Sequence, residues 1–487
     1  MQPGWVLNWQ KETDVLTYAD CFNALAGRRI SNWNIPITEA VIDSRRVIPG
    51  SLFIALPGER TNGDEFIPEA FTRGARIVIT QMKPNETIPV VEVDKLQNGE
   101  SHALPQTPFC LLVPNSLDAL QRLGRYRREQ LNAQVIGITG SVGKSSTKEM
   151  TAEVLGYRFR TYKNPGNYNN EIGLPLTLIN AGKGVEVLIL EMGFYTRGEI
   201  AFLCDIAKPH IGILTNIGTV HAERSGSRES IAAGKAELVE ALPSAPMGTA
   251  ILNYDDDLVR SMNTKTKANV LFYGLNPEAD LWADNITSFG LKGIRFNLHY
   301  KGESGVINVS TIGRHSVSTA LRACAAAFTL GMSWSETAHA LESSSNQLRM
   351  VAVQTAHGAL LIDDTYNATP ESTIAALDLL NDMSGRKIAV LGDMLELGQY
   401  VQSGHEEVGE RAARVVDKLL AVGKLGKVIA ESALQHGLSS GKVDWVENTQ
   451  AAINALQQEL QQGDIVLIKG SHGLRMDRIA AALEEVK

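Results

Sequence analysis

The run Ile136-Gly137-Ile138-Thr139-Gly140-Ser141-Val142-Gly143-Lys144-Ser145-Ser146 holds the residue types that phosphate chemistry needs. An apolar strand leads into glycines, a Lys-Ser pair follows, and a helical segment begins. Glycines let successive backbone N–H groups curl around phosphate oxygens, Lys144 can reach β- and γ-phosphates, and the Ser145 hydroxyl can bind Mg²⁺. The helix N-terminus adds a field that favours an anion. Gly140, Ser141, Val142, Gly143, Lys144, Ser145 and Ser146 therefore read as a loop for a nucleoside triphosphate. The spacing is not the strict Walker pattern, which counted back from Gly143 asks for glycine where Ile138 stands. A Gly-rich strand-to-helix turn with a solvated lysine is the bland alternative, and the strand and helix context favours the phosphate reading.

Two further residues extend that chemistry. Glu191 directly follows the apolar Val187-Leu188-Ile189-Leu190, and His221 lies shortly after Ile211-Gly212-Ile213-Leu214. In a doubly wound sheet both fall beside the phosphate loop, where a carboxylate and an imidazole can complete a Mg²⁺ site begun by Ser145 and the triphosphate. A helix-capping glutamate and a loop histidine are the alternatives. Asn164, Asn167, Asn169 and Asn170 crowd one short loop. Asparagine tolerates left-handed turns, which explains part of the cluster; four together also suit binding of a polar ligand.

The elements that must position these residues follow from hydrophobic patterning. The first segment is a small α/β unit, with strand-like Leu52-Phe53-Ile54-Ala55-Leu56 and Ala75-Arg76-Ile77-Val78-Ile79 around a helical stretch. From Gln134 the pattern becomes strand, Gly-rich turn and helix, and its continuous apolar runs suit strands of a mostly parallel sheet buried on both faces. A third, Rossmann-like α/β pattern begins with the helical stretch 315–330. Its strands end in Asp363-Asp364-Thr365-Tyr366-Asn367, Gly392-Asp393-Met394, Gly423-Lys424 and Lys469-Gly470-Ser471-His472, which should gather at one carboxyl edge. The expected domains are 1–112, 113–312 and 313–487.

Composition sets outer limits. A chain of 487 residues suggests about three domains. Hydrophobic content of 44% and charged content of 21% describe an ordinary globular protein, and no apolar run reaches bilayer length. The net charge of −8 argues against nucleic acid or an anionic membrane as partner. Cys21, Cys110, Cys204 and Cys324 are scattered, as small buried hydrophobes are. The N-terminal residues lack the pattern of a secretory signal, so a cytoplasmic location is expected.

Taken together, these runs resemble the Mur ligases, ATP-dependent amide ligases of peptidoglycan synthesis, and among them most the MurF type. The likeness rests on the phosphate loop, Asn167-Tyr168-Asn169-Asn170-Glu171-Ile172-Gly173, Leu190-Glu191-Met192-Gly193, Asn216-Ile217-Gly218 with His221, Ile362-Asp363-Asp364-Thr365-Tyr366-Asn367-Ala368, Leu391-Gly392-Asp393-Met394-Leu395-Glu396-Leu397-Gly398 and Lys469-Gly470-Ser471. It runs from Asp43-Ser44-Arg45 to about Ile479.

The resemblance implies three domains: a small N-terminal α/β domain for a UDP-linked substrate, a central ATP-binding domain, and a C-terminal domain closing over ATP and a dipeptide. It implies ATP and Mg²⁺, with UDP-N-acetylmuramoyl-tripeptide and D-alanyl-D-alanine as partners, no nucleic acid, no membrane insertion, and a monomer. Lys144, Glu191, His221, Lys235 and Arg349 would be catalytic. Glu191, His221 and Lys235, which matches a lysine that family members can carry as a carbamate, would join Ser145 at the metal, a surface helix lysine being the alternative for Lys235, and Arg349 would meet the γ-phosphate. Asp364 would lie near ATP, Ser44 and Arg45 at the UDP group, Asn167 and Asn170 at the substrate, and Tyr366 and Asn367 near the dipeptide. A related ligase with another amine acceptor is the alternative.

The chain departs from the pattern in places. His315-Ser316-Val317-Ser318-Thr319-Ala320 stands where the family usually has His-Asn-x-x-Asn-Ala, which implies altered amide contacts near the adenine. Thr369 replaces an asparagine, Asp64 a histidine, and His472 a frequent arginine.

Overall fold

The structure is a computed structural model that describes residues 15–27, 33–58, 61–84, 88–97, 107–219, 222–344, 351–355 and 358–484. Its contacts divide the chain into two compact units. The first comprises Met1–Val135, Arg160–Leu190 and Phe202–Lys208; the second comprises Ile136–Phe159, Glu191–Ala201 and Pro209–Lys487.

In the first unit five short strands form a parallel sheet in the order Ala40–Val41, Leu52–Ile54, Ile77–Thr80, Phe109–Leu112, Val90–Glu92. All residues of Leu52–Ile54 and Ile77–Thr80 are buried, because helices cover a parallel sheet on both faces. One core joins Phe22, Leu25, Leu52, Ile77 and Phe109 to Leu120, Leu123 and Leu176. Each such side chain contributes about 2 kcal/mol through burial. Within this unit Thr161–Lys163 pairs in parallel with Val187–Glu191. That second strand belongs to the first unit as far as Leu190 and delivers Glu191 to the second.

The second unit carries the phosphate loop. Its strands Leu281–Ser288, Asn269–Gly274, Thr249–Asn253, Ile211–Leu214 and Gln134–Thr139 pair in parallel in that order. An antiparallel extension, Ile294–Tyr300 with Glu303–Val309, continues from Leu281–Ser288. A separate six-stranded sheet runs Val351–Gln354, Leu360–Asp363, Ile465–Lys469, Lys387–Gly392, Lys418–Val422, Val443–Val446, parallel except for its first pair. The expected strands of the third α/β pattern are all present. The helix Ser316–Thr329, expected from sequence as the helical stretch 315–330 at the head of that pattern, packs with Trp334–Glu342 on the helix Lys144–Gly156 of the phosphate loop. Among the described residues no helix is long and apolar enough to cross a membrane.

Candidate active site

The strand Gln134–Thr139 is buried from Val135 onward, and the chain turns at Gly140 into the phosphate loop. Gly140 has φ 144°, and a Cβ there would stand 1.8 Å from Thr215 Oγ1, so no other residue fits. The neighbouring strand end pins the loop. Ser141 N donates to Asn216 O (2.9 Å), Val142 N to Asn216 Oδ1 (2.9 Å), and Gly218 N to Ser141 Oγ (2.9 Å). Gly143, at φ 83°, caps the helix Lys144–Gly156 without any side-chain cap. Lys144 Nζ donates to the carbonyls of Gly140 (2.8 Å) and Ser141 (3.2 Å), and Ser146 is half-buried at the helix start.

Glu191 reaches this loop as the sequence suggested. Its carboxylate is 3% exposed, and Oε2 accepts a hydrogen bond from Ser145 Oγ at 2.7 Å. Sequence reasoning missed Lys148, whose buried Nζ lies 3.7 Å from the same oxygen and 3.4 Å from Glu149 Oε1. The available signal was its spacing: four residues after Lys144, it returns to the same helix face one turn on. Asn216, quoted only as part of a run, turns out to be the residue that clamps the loop.

Lys235 extends from the helix Arg228–Glu240 into the same cluster. It is 1% exposed, donates from Nζ to Gly140 O at 3.0 Å, and lies 4.7 Å from the centroid of the Phe194 ring. Burial holds its amine well below the usual lysine range, and the nearby Lys144 charge pushes the same way. His221 and Arg349 lie outside the described residues.

The second carboxyl edge also gathers. Lys469, 2% exposed, donates to Asp364 Oδ2 at 2.6 Å and to Asn367 O at 2.8 Å. Ser471 N donates to Asp393 O, and Asp393 Oδ1 accepts from Leu425 N and Gly426 N. Tyr366 and Asn367 are exposed beside this knot. This edge meets the phosphate-loop strands through Glu371, whose Oε1 accepts from Thr219 N at 3.2 Å. Thr369 caps the helix Pro370–Asn381 and donates to Glu371 Oε2.

In the first unit, Ser44 is buried and donates to Glu69 Oε2 at 2.8 Å. Arg45 is exposed and forms a forked pair with Asp43, whose carboxyl it holds below the usual range. A cavity of about 250 Å³ opens beside them, lined among others by Thr38, Asp43, Arg46, Tyr162, Tyr168 and Asn180. Arg46 donates to Tyr168 Oη (3.0 Å), and neither residue was singled out from sequence. Asn170 accepts from Gly173 N and so starts the helix Gly173–Asn180, while Asn167 is exposed.

Among the described residues no three His, Cys, Asp or Glu side chains cluster as a metal cage. A hydroxyl and a carboxylate in contact, Ser145 and Glu191, are nonetheless hard oxygen donors. They fit Mg²⁺, which uses one or two protein oxygens with substrate phosphates and water rather than a full protein cage.

The chain is similar to known proteins along nearly its whole length. The Mur ligase family, catalytic domain matches residues 36–126, the Mur ligase middle domain 138–327, and the Mur ligase, glutamate ligase domain 348–472. The UDP-N-acetylmuramoyl-tripeptide–D-alanyl-D-alanine ligase of Bacillus subtilis (strain 168) is 34% identical over 91% of this chain and 92% of its own length. The enzyme of that name from Escherichia coli (strain K12) is 32% identical over 93% of this chain and 95% of its own. Among solved structures, MurF from Acinetobacter baumannii superposes with a TM-score of 0.80 at 29% identity, covering 96% of this chain and 99% of that one. MurF from Thermotoga maritima in complex with ADP gives 0.76 at 28% identity, covering 92% and 97%. With its three-domain α/β fold and its phosphate loop closed on Glu191, the chain belongs to the Mur ligase family, and within it to the MurF type.

Proposed function

We propose that this chain is an ATP-dependent amide ligase that joins D-alanyl-D-alanine to UDP-N-acetylmuramoyl-tripeptide. The observation that carries this reading is the likeness over nine-tenths of the chain to relatives of that name. The tripeptide's terminal carboxylate attacks the γ-phosphorus of ATP, ADP leaves, and an acyl phosphate forms. The dipeptide amine then attacks the acyl carbon and loses a proton, and inorganic phosphate departs. A bare carboxylate is a poor acylating agent, and the mixed anhydride supplies the leaving group.

In this reading the loop 140–146 binds the triphosphate and Lys144 neutralises charge on the transferring phosphoryl group. Ser145, Glu191, His221 and Lys235 would hold Mg²⁺, which when bound adds to that neutralisation. A lysine serves there only as a carbamate: its neutral amine forms an N–C bond to carbon dioxide, a proton passes to solvent, and the product is anionic. The burial that lowers the pKa of Lys235 favours its neutral amine and supports this role. Arg349 contacts the γ-phosphate and Asp364 the nucleotide. Ser44, Arg45, Asn167 and Asn170 hold the UDP substrate, and Tyr366 and Asn367 the dipeptide.

The labour divides along the chain. Residues 1–112 take the UDP substrate, 113–312 take ATP, and 313–487 close over ATP and the dipeptide. Closure keeps water from the acyl phosphate. The reaction belongs to the cytoplasm and to a single chain.

The test is phosphate release from ATP and Mg²⁺ with UDP-muramoyl-tripeptide, with and without D-alanyl-D-alanine, and the product mass. Release and product only with both substrates support the ligase. Acceptance of a different amine would replace the dipeptide, and absence of turnover would leave a nucleotide-binding protein.

A further inference from the structure

Arg322 lies on the helix Ser316–Thr329, which packs on the phosphate-loop helix. It is 5% exposed. One terminal nitrogen donates to Tyr273 Oη at 3.2 Å, the other to Thr319 Oγ1 at 2.9 Å, and its Nε is buried without a partner. Tyr273 Oη is itself anchored on the carbonyls of Leu214 (2.9 Å) and Thr215 (3.0 Å), at the strand end beside the loop. Two neutral hydroxyls thus aim the guanidinium, and among the described residues it makes no ion pair.

Its position makes that absence informative. The nitrogen bonded to Thr319 lies 3.3 Å from where a Cβ on Gly143 would stand, so the guanidinium abuts the residue that caps the phosphate-loop helix. Arginine stays protonated in proteins, and a helix start carries positive partial charge. A fixed cation and a helix N-terminus side by side repel each other, and each is costly to bury. An anion seated between the loop amides and Arg322 relieves both at once, with the charge-assisted hydrogen bonds that guanidinium and phosphate form.

We propose that Arg322 is a phosphate-binding residue for the nucleotide, contacting the phosphate at the helix start that ADP and ATP share. This rests on the nucleotide reading above and adds a cation to the site from outside the loop. Its helix is the one that carries Ser316 and Thr319. Thr319 here serves to aim the arginine.

The experiment is titration calorimetry of ADP into the full chain over a series of salt concentrations, for wild type, Arg322→Gln and Arg322→Lys, with thermal melts to confirm folding. Arg322→Gln should weaken ADP binding about tenfold, and Arg322→Lys less than about threefold. The salt dependence of the dissociation constant should be shallower in Arg322→Gln. Should that variant fail to fold, Tyr273→Phe, which removes one aiming hydroxyl, should cost about threefold. Binding within twofold of wild type in the folded variant overturns the inference. So does a loss in Arg322→Lys equal to that in Arg322→Gln with an unchanged salt slope, since that marks a packing role. Wild type that does not bind ADP overturns the nucleotide reading together with this one.

Discussion

Lys235 and Lys469 are both buried, at 1% and 2% exposure, yet their surroundings give them opposite characters. Lys469 faces the Asp364 carboxylate at 2.6 Å and a second carbonyl, so its charge is matched and its geometry fixed. Lys235 faces the Gly140 carbonyl, the Phe194 ring and another cation, Lys144, and its amine is held well below its ordinary range. A matched lysine ties elements together. An unmatched one has its neutral form favoured, which the proposed function would use at the phosphate loop.

The comparison can be attacked at several points. Lys144→Ala should lower turnover by about a thousandfold or more while leaving the melting temperature nearly unchanged, since Lys144 donates to the carbonyls of Gly140 and Ser141 in the loop and, in the proposed reaction, its charge would act on the phosphoryl group. Asp364→Ala leaves the Lys469 ammonium buried without its carboxylate, and denaturant unfolding should show a loss of about 3 kcal/mol. Lys235→Met, which removes an uncompensated amine, should cost less than about 1 kcal/mol; equal losses in the two variants would end the distinction. Ser44→Ala combined with Arg45→Ala should raise the apparent KM for the UDP substrate about tenfold, as loss of charge-assisted contacts does. An unchanged KM would remove the first unit's assigned role.

The smallest effect concerns pH. Because the folded-state pKa of Lys235 lies well below the ordinary lysine value of 10.5, the unfolded chain binds more protons between those two values. Stability therefore rises with pH across that window. In carbonate-free buffer, the melting temperature of Lys235→Met relative to wild type should fall as pH rises toward 10.5. A constant difference would mean that Lys235 is buried as a cation.

Much of this was legible in the sequence where a residue's neighbours in space are also its neighbours along the chain. Glu191 ends an apolar strand, and fully buried strands such as Val187–Glu191 and Ile465–Lys469 announce themselves as unbroken hydrophobic runs. The edge strand Val443–Val446 did not, because a half-exposed, four-residue strand lacks such a run. The Lys469–Asp364 pair joins residues 105 positions apart and depends on Leu360–Asp363 and Ile465–Lys469 being neighbours, which local pattern does not encode. Lys148 and Arg322 were hidden for the same reason: each gains meaning only from what another element brings against it.

The short stretch from Asn216 to Thr219 has one end on the phosphate loop, through Asn216 and Val142, and the other on the helix Pro370–Asn381, through Thr219 and Glu371. It is too short to absorb slack. One four-residue stretch thus fixes a loop amide at one end and a carboxylate of the helix Pro370–Asn381 at the other, a direct hydrogen-bonded link between the two carboxyl edges.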